Sequence, residues 1–320
     1  MSFQGIEGAF IKISGVANKT PVMTSRTLNS KLQAEIYFKC ENFQRVGAFK
    51  FRGAYNALSL LSKEDKKRGV ITHSSGNHAQ AVALAASILG IQATIVMPKG
   101  APADKINATK DYGAQIVFCD NTLKARSQTT EELIKKYHYI LIHPYDNYNI
   151  ICGQGTAVYE LIKEIGGLDM AIAPLGGGGL LSGTALAAKG LCPKVQVFGV
   201  EPSIADDAYR SIQAGYIIES TYPNTIADGL RTSICEKTFN IIREFVDQIV
   251  TVSEKEIINA MKFLWERMKL IVEPSGAVPL AALLSKKVNV NNKKVGIILS
   301  GGNIEIEPFF QLLEKRVVKL

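Results

Sequence analysis

A chain of 320 residues, 47% hydrophobic and 21% charged, has room for two domains that each bury a core. This balance excludes a disordered chain, and no apolar run approaches the roughly 20 residues of a membrane span. The net charge of +8 is spread along the chain apart from short clusters such as Lys66, Lys67 and Arg68, so neither a nucleic-acid nor a membrane partner is expected.

The five cysteines, Cys40, Cys119, Cys152, Cys192 and Cys235, are odd in number, widely spaced and without a Cys-x-x-Cys pair. They read as reduced thiols, not as a disulfide framework or zinc site. The first eight residues lack the basic start and apolar stretch of a signal peptide, and a cytoplasmic location is the expectation.

In chain order, β-branched or apolar runs at 36–39, 70–73, 93–97, 115–118, 139–142, 169–175, 195–200, 248–252 and 295–299 read as strands. Helical patterns such as 76–88, 153–164 and 254–268 fall between them, and this alternation predicts an α/β protein with parallel sheets wrapped by helices. The four runs between 70 and 142 form a smaller unit, 69–146, inserted into a larger one made of 1–68 and 147–320. Trp265, the one tryptophan, is expected to pack in a core or interface.

Four loops rich in small residues stand out. Lys50 lies among apolar and small neighbours between Gly47 and Gly53, where an amine either forms a Schiff base or snorkels from a helix end. Ser74 to His78 follow a strand and open a helix, so backbone donors there suit a carboxylate or phosphate, and serine also serves as an ordinary cap. His78 by itself reads as a structural histidine. Gly176 to Gly179, again between strand and helix, suit a phosphate or form a plain turn.

A dinucleotide fingerprint fails there, because the third glycine is replaced by Leu181 or Ser182 in two registers and the second by Leu180 in another. No Gly-Lys-Ser/Thr follows, which excludes a P-loop. The segment from Glu201 to Asp207 gathers carboxylates and a turn carbonyl, the oxygen set of a hard cation or an ordinary acidic helix start. Ser300 to Asn303 complete the four loops, which together look like a cradle for one phosphorylated cofactor.

These segments, with the run 38–44 before Lys50, resemble the serine racemase and serine/threonine dehydratase family of fold type II pyridoxal-phosphate enzymes over nearly the whole chain. The resemblance implies a tryptophan synthase β-like α/β fold, with two domains each built on a largely parallel sheet flanked by helices. It implies that Lys50 is the Schiff-base lysine, with Phe49 beside the cofactor ring and Asn77 on its phenolic oxygen. Gly176, Gly177, Gly178 and Gly179 then form the phosphate loop, and Ser300 faces the pyridine nitrogen. A small amino-acid substrate is implied at Ser74, Ser75, Gly76, Asn77 and His78, with Arg126 near its carboxylate.

Racemisation needs an acid/base on each face of the substrate. The resemblance places Lys50 on one face and Ser75 on the other, where threonine dehydratases typically carry alanine; relatives acting on hydroxyaspartate keep this serine too. Two activities therefore stay open: a serine racemase that also eliminates serine to pyruvate and ammonia, and an ammonia-lyase of serine, threonine or threo-3-hydroxyaspartate. The resemblance further implies a divalent cation, Mg²⁺ or else Ca²⁺ or Mn²⁺, on Glu201, the Ala205 carbonyl and Asp207. It implies a homodimer, and an ATP effector site at Ser25, Gln80 and Tyr112, although Arg26, Arg45 and Val46 depart from the animal pattern.

Overall fold

The computed structural model describes residues 2–101, 103–220 and 223–315. Its strands are β1 (Val22–Thr24), β2 (Glu35–Cys40), β3 (Val70–His73), β4 (Ala93–Pro98), β5 (Gln115–Cys119), β6 (Ile140–Leu141), β7 (Met170–Pro174), β8 (Gln196–Pro202), β9 (Gln248–Val252) and β10 (Lys294–Leu299). They form a six-stranded sheet in the order β1-β2-β10-β7-β8-β9 and a four-stranded sheet in the order β5-β4-β3-β6. Every pairing is parallel except β1 with β2. Runs such as β7, buried at every residue, suit strands covered on both faces, and helices supply that cover.

All nine expected strands form. β1 was not foreseen: three residues carry no readable alternation, and the segment is a strand because Val22 to Thr24 pair antiparallel with Tyr37 to Lys39 at the sheet edge. The helix expected over 153–164 starts earlier, as Tyr148–Ile165, because Asn147 caps it by accepting from the backbone N–H groups of Asn149 and Ile150. The helix expected over 254–268 ends at Phe263 and continues as one π-type turn, Leu264–Met268, closed by left-handed Lys269. Within that turn Trp265 stacks on Phe309 at 5.4 Å between ring centres. All five cysteines are free thiols. Among the described residues no helix is long and apolar enough to cross a membrane.

Helix Lys50–Ser59 lies between the two sheets. Its Phe51, Ala54, Ala57 and Leu58 share a core with Val82, Ala86 and Ile95 of the smaller sheet's layer. Its other side meets helix Tyr148–Ile165 so closely that a Cβ on Gly153 would lie 2.6 Å from the Arg52 carbonyl. A Cβ on Gly155 would lie 2.6 Å from the carbonyl of Gly183, in the next helix, Gly179–Leu191. Glycine at these positions lets three helices stack backbone to backbone.

Between them sits a fully buried set of charges. Arg52 donates to Glu41 at 2.7 and 2.9 Å and to Glu160 at 2.7 and 2.8 Å, while Lys39 donates to Glu160 at 2.8 Å. Thr20 donates its hydroxyl to Glu41 at 2.6 Å and its carbonyl accepts from Lys39 at 2.8 Å. Burial opposes the charge on Arg52, yet Glu41 and Glu160 hold its pKa above the ordinary value. Arg52→Met removes one member of a neutral quartet and leaves buried carboxylates in excess. It should cost roughly 3–5 kcal/mol, read as a lower urea midpoint at unchanged slope; a shift worth less than about 1 kcal/mol would show the quartet to be dispensable.

Candidate active site

The backbone leading to Lys50 is stitched to the end of β10. Phe49 N–H donates to the Ser300 carbonyl at 2.9 Å, Ala48 bridges Gly301, and Gly302 N–H donates to the Gly47 carbonyl at 2.9 Å. Just before it, Val46 holds a left-handed φ of 56°, a strained choice for a β-branched residue, while its carbonyl accepts from Asn303 at 2.7 Å. Lys50 itself opens the helix, 5.1 Å from the Phe49 ring centre, and its Nζ donates to the Pro144 carbonyl at 3.1 Å. Burial pushes the ammonium down to about 8, with Glu273 pulling the other way.

Glu273 carries no signal in the sequence beyond an acidic residue before Pro274 at a helix start, and it was not foreseen. It is buried, and Asn77 Nδ2 donates to both its carboxylate oxygens at 3.0 Å. Asn77 Oδ1 in turn accepts from Asn303 at 2.8 Å, which fixes the amide's orientation. A Cβ on Gly301 would stand 2.6 Å from Glu273 Oε1, so this loop has room for glycine alone. Ser300 is buried at the same strand end.

Gly176 to Gly179 are buried at the N-terminus of helix Gly179–Leu191, with Gly178 at φ 87°. A Cβ on Gly176 would meet Leu230 at 2.8 Å, and one on Gly178 would meet Thr238 at 2.8 Å. The Tyr145 ring lies against Gly177, and its Cβ would be 2.8 Å from one on Gly179. Backbone N–H groups of the first turn have no intrahelical acceptor, and Ser182 Oγ in that turn is buried without a partner among the described residues. A donor-rich cradle that side chains would fill fits a phosphate.

The carboxyl ends of the smaller sheet hold the remaining groups. Ser74 and Ser75 follow β3, and Ser74 Oγ accepts from Gly76 N–H at 3.2 Å. Ser75 is partly exposed, and its hydroxyl has no hydrogen bond among the described residues. Arg126, on helix Leu123–Tyr137, has a buried Nε with no partner among the described residues. His78 points into the interior, where its Nε2 lies 3.2 Å from the Ile142 carbonyl and burial keeps its pKa well below the usual value. His143, two residues beyond β6, was not singled out in the sequence.

Glu201 ends in a buried carboxylate that accepts from Ala208 and Tyr209 N–H groups at 3.3 and 2.8 Å. Neither oxygen of buried Asp207 makes a well-formed hydrogen bond among the described residues, although the nearby Ser233 hydroxyl favours the carboxylate, and burial pushes this carboxyl up to about 6. Burial and neighbouring Asp207 raise Glu201 well above the ordinary range. Buried Ala205 sits in the turn between them. Among the described residues no group of three or more His, Cys, Asp or Glu side chains gathers as a metal cluster, so a cation here would have only two carboxylates and a carbonyl to bind.

The three positions expected to take a nucleotide effector lie on separate elements. Ser25 Oγ is spent capping helix Arg26–Leu32, Gln80 lines a cavity of about 560 Å³ with Lys105 and Asn303, and Tyr112 packs on the smaller core. Lys105, on helix Ala103–Asp111, pairs at 2.9 Å with Asp228 of the larger unit, beside the Leu230 that backs Gly176.

Burial pushes Glu273 up to about 7, with Asp228 adding to the shift. The folded state therefore holds this proton more tightly than the unfolded one, and the stability associated with it is present below about pH 4.3 and is lost as pH rises through 7. Glu273→Gln should remove that dependence, so the variant gains on the wild type by about 3 kcal/mol between pH 4.5 and 7.5 in urea titrations; a pH-independent difference would contradict the shift.

The family model for pyridoxal-phosphate dependent enzymes matches residues 13–301. The chain is 52% identical to the L-threo-3-hydroxyaspartate ammonia-lyase of Saccharomyces cerevisiae, over 94% of this chain and 93% of that one. It is 48% identical to the serine racemase of Schizosaccharomyces pombe over 98% of both. The crystal structure of serine racemase from Dictyostelium discoideum superposes with a TM-score of 0.92 at 47% identity, covering 96% of this chain and 99% of that one. With the amine, the glycine cradle and this likeness in agreement, the chain belongs to the family of pyridoxal-phosphate-dependent enzymes of fold type II.

Proposed function

We propose that this enzyme racemises serine and, at the same site, eliminates its β-hydroxyl to give pyruvate and ammonia. The observation that carries the reading is the free hydroxyl of Ser75 at the sheet edge to which the Lys50 amine is anchored. Lys50 and Phe49 would hold the cofactor's reactive ring, Asn77 its phenolic oxygen, Gly176 to Gly179 its phosphate and Ser300 its ring nitrogen. When bound, pyridoxal phosphate withdraws electrons from the substrate and acidifies its α-hydrogen. Lys50, with a pKa near 8, takes or returns that proton close to neutral pH. Ser75 serves the opposite face, which inversion requires. Arg126 and the backbone donors of Ser74 to His78 orient the substrate carboxylate.

Purified holoenzyme given L-serine in deuterated water should form D-serine labelled at Cα, and Ser75→Ala should abolish this while keeping much of the elimination. Pyruvate and ammonia without D-serine would turn the reading to its alternative. That alternative is an ammonia-lyase acting on L-threo-3-hydroxyaspartate, the activity named for the yeast relative.

From the family resemblance of the sequence we further propose a smaller domain at 69–146 with the remainder as the larger one, a homodimer as the assembly, and an ATP effector site at Ser25, Gln80 and Tyr112, around which Arg26, Arg45 and Val46 depart from the animal pattern. The weakly bonded Asp207 carboxylate supports a divalent cation on Glu201, Ala205 and Asp207. Chelation should lower the thermal midpoint by several degrees, Mg²⁺, Ca²⁺ or Mn²⁺ should restore it, and Asp207→Asn should be indifferent to both; a wild type unmoved by chelator would remove the cation from the assignment.

A further inference from the structure

The segment between β6 and helix Tyr148–Ile165, residues 142–147, presents the Pro144 carbonyl to Lys50 Nζ at 3.1 Å. Both of its ends are pinned. At the first, Ile142 N–H donates to the Ile71 carbonyl at 2.9 Å, while the Ile142 carbonyl accepts from the Thr72 hydroxyl at 2.8 Å and lies 3.2 Å from His78 Nε2. At the last, Asn147 caps the helix. Between them the chain bends over Pro144 to Asn147, and one side chain organises the bend. His143 Nδ1 accepts from the backbone N–H groups of Asp146 at 2.8 Å and Tyr145 at 3.4 Å.

This is the pattern of an Asx turn, with an imidazole nitrogen in the place of a side-chain oxygen. Pro144 has its φ fixed by its ring, and the bonds to Nδ1 settle the remaining freedom of its carbonyl. Two further contacts hold the bend from outside. Asp146 accepts from Lys237 N–H at 3.0 Å and Nζ at 3.3 Å, and the His143 ring meets Tyr145 edge-on with centres 4.7 Å apart. Nδ1 accepts only in the neutral ring. Burial secures that state by pushing the His143 pKa down to about 4, with Asp146 opposing and His73, Lys50 and Lys237 adding to the fall.

We propose that His143 is a positioning residue for Lys50: by holding the bend it aims the Pro144 carbonyl, and that carbonyl seats the amine when it is free to move protons. This rests on Lys50 as the cofactor's lysine and on the reading above. A carbonyl that accepts from Nζ favours the ammonium over the amine and gives the side chain one direction. An amine that takes and returns a proton has to stand still in both states, and a misplaced one loses rate steeply. The other titratable groups that face Lys50, Glu273 and His78, belong to elements outside the bend. His143 touches neither amine nor substrate and acts through the backbone alone.

The test reads the titration of Lys50 in the full chain freed of cofactor. The rate at which added pyridoxal phosphate is captured, followed by its visible absorption, rises with the neutral amine and should have a midpoint at about pH 8 in the wild type. In His143→Leu the ammonium loses a well-aimed acceptor, and the midpoint should fall by about one unit, the equivalent of a modest hydrogen bond to a charged group. His143→Asn puts Oδ1 where Nδ1 stood and should restore the wild-type midpoint. His143→Gln, whose oxygen stands one bond further out, should behave as His143→Leu does and replaces it if the leucine variant does not fold. An unmoved midpoint in both, or a fall that His143→Asn shares, would overturn the proposal.

A second readout uses the holoenzyme with L-serine. In His143→Leu, kcat for racemisation and for elimination should fall together by roughly tenfold with KM little changed, because the amine is disturbed and the substrate seat is not. A loss confined to KM would also overturn the positioning role. Failure of the parent reading looks different. If serine is not the substrate, neither D-serine nor pyruvate forms and the capture midpoints still decide; if Lys50 is not the cofactor's lysine, Lys50→Ala captures pyridoxal phosphate with the same visible band as the wild type, and the positioning role falls with it.

Discussion

The buried quartet of Lys39, Glu41, Arg52 and Glu160 is the constraint on which the cofactor site depends. It joins the end of β2, the helix that begins at Lys50 and helix Tyr148–Ile165, which are the segments on either side of the inserted four-stranded sheet. Arg52 is two residues from Lys50, so the charges that lock the helix also place the amine. In the low-dielectric interior such a set is tolerated because every member is paired, and its worth lies in geometry more than in net energy. The glycine contacts of the same helices add close packing without side-chain rotamers to adjust.

From that base the site is assembled out of loop ends with little freedom. Three backbone links tie the residues before Lys50 to those after β10, and strain at Val46 is held by Asn303. Glu273, Asn77 and Asn303 form one chain of hydrogen bonds running from a helix start to the Ser300 loop. The Pro144 and Tyr145 pair serves two loops at once: the Pro144 carbonyl receives Lys50, and the neighbouring ring closes over the glycine cradle. Amine and phosphate seat are therefore indexed to one short segment.

The sequence made the ligand cradle more legible than the means of support. Buried parallel strands such as β7 and β10 are continuous apolar runs, and the four glycines betray a close backbone approach whatever fills it. β1 was hidden because its pairing lies with a distant strand edge. The true start of helix Tyr148–Ile165 was hidden in a polar stretch, where Asn147 looked like loop. Glu41, Arg52 and Glu160 read as ordinary charges, since nothing local says that three elements will meet around them. Glu273 shares that difficulty: its place comes from Asn77, far away in the chain. The Ser75 hydroxyl could be noticed in the sequence, but the donor-rich edge around it is a product of strand order.

The pair of Lys105 and Asp228 is made of the same chemistry as the quartet and sits in a different solvent. Its side chains are 20% and 46% exposed, against 0% for Arg52 and Glu41. Mobile ions reach the first pair and weaken it, with a screening length of about 10 Å at 0.1 M salt, while the second is sealed from them. One molecule thus uses salt bridges in two ways, as a permanent rivet under the lysine and as an ionic clasp across the two sheets whose grip is set by the surrounding medium.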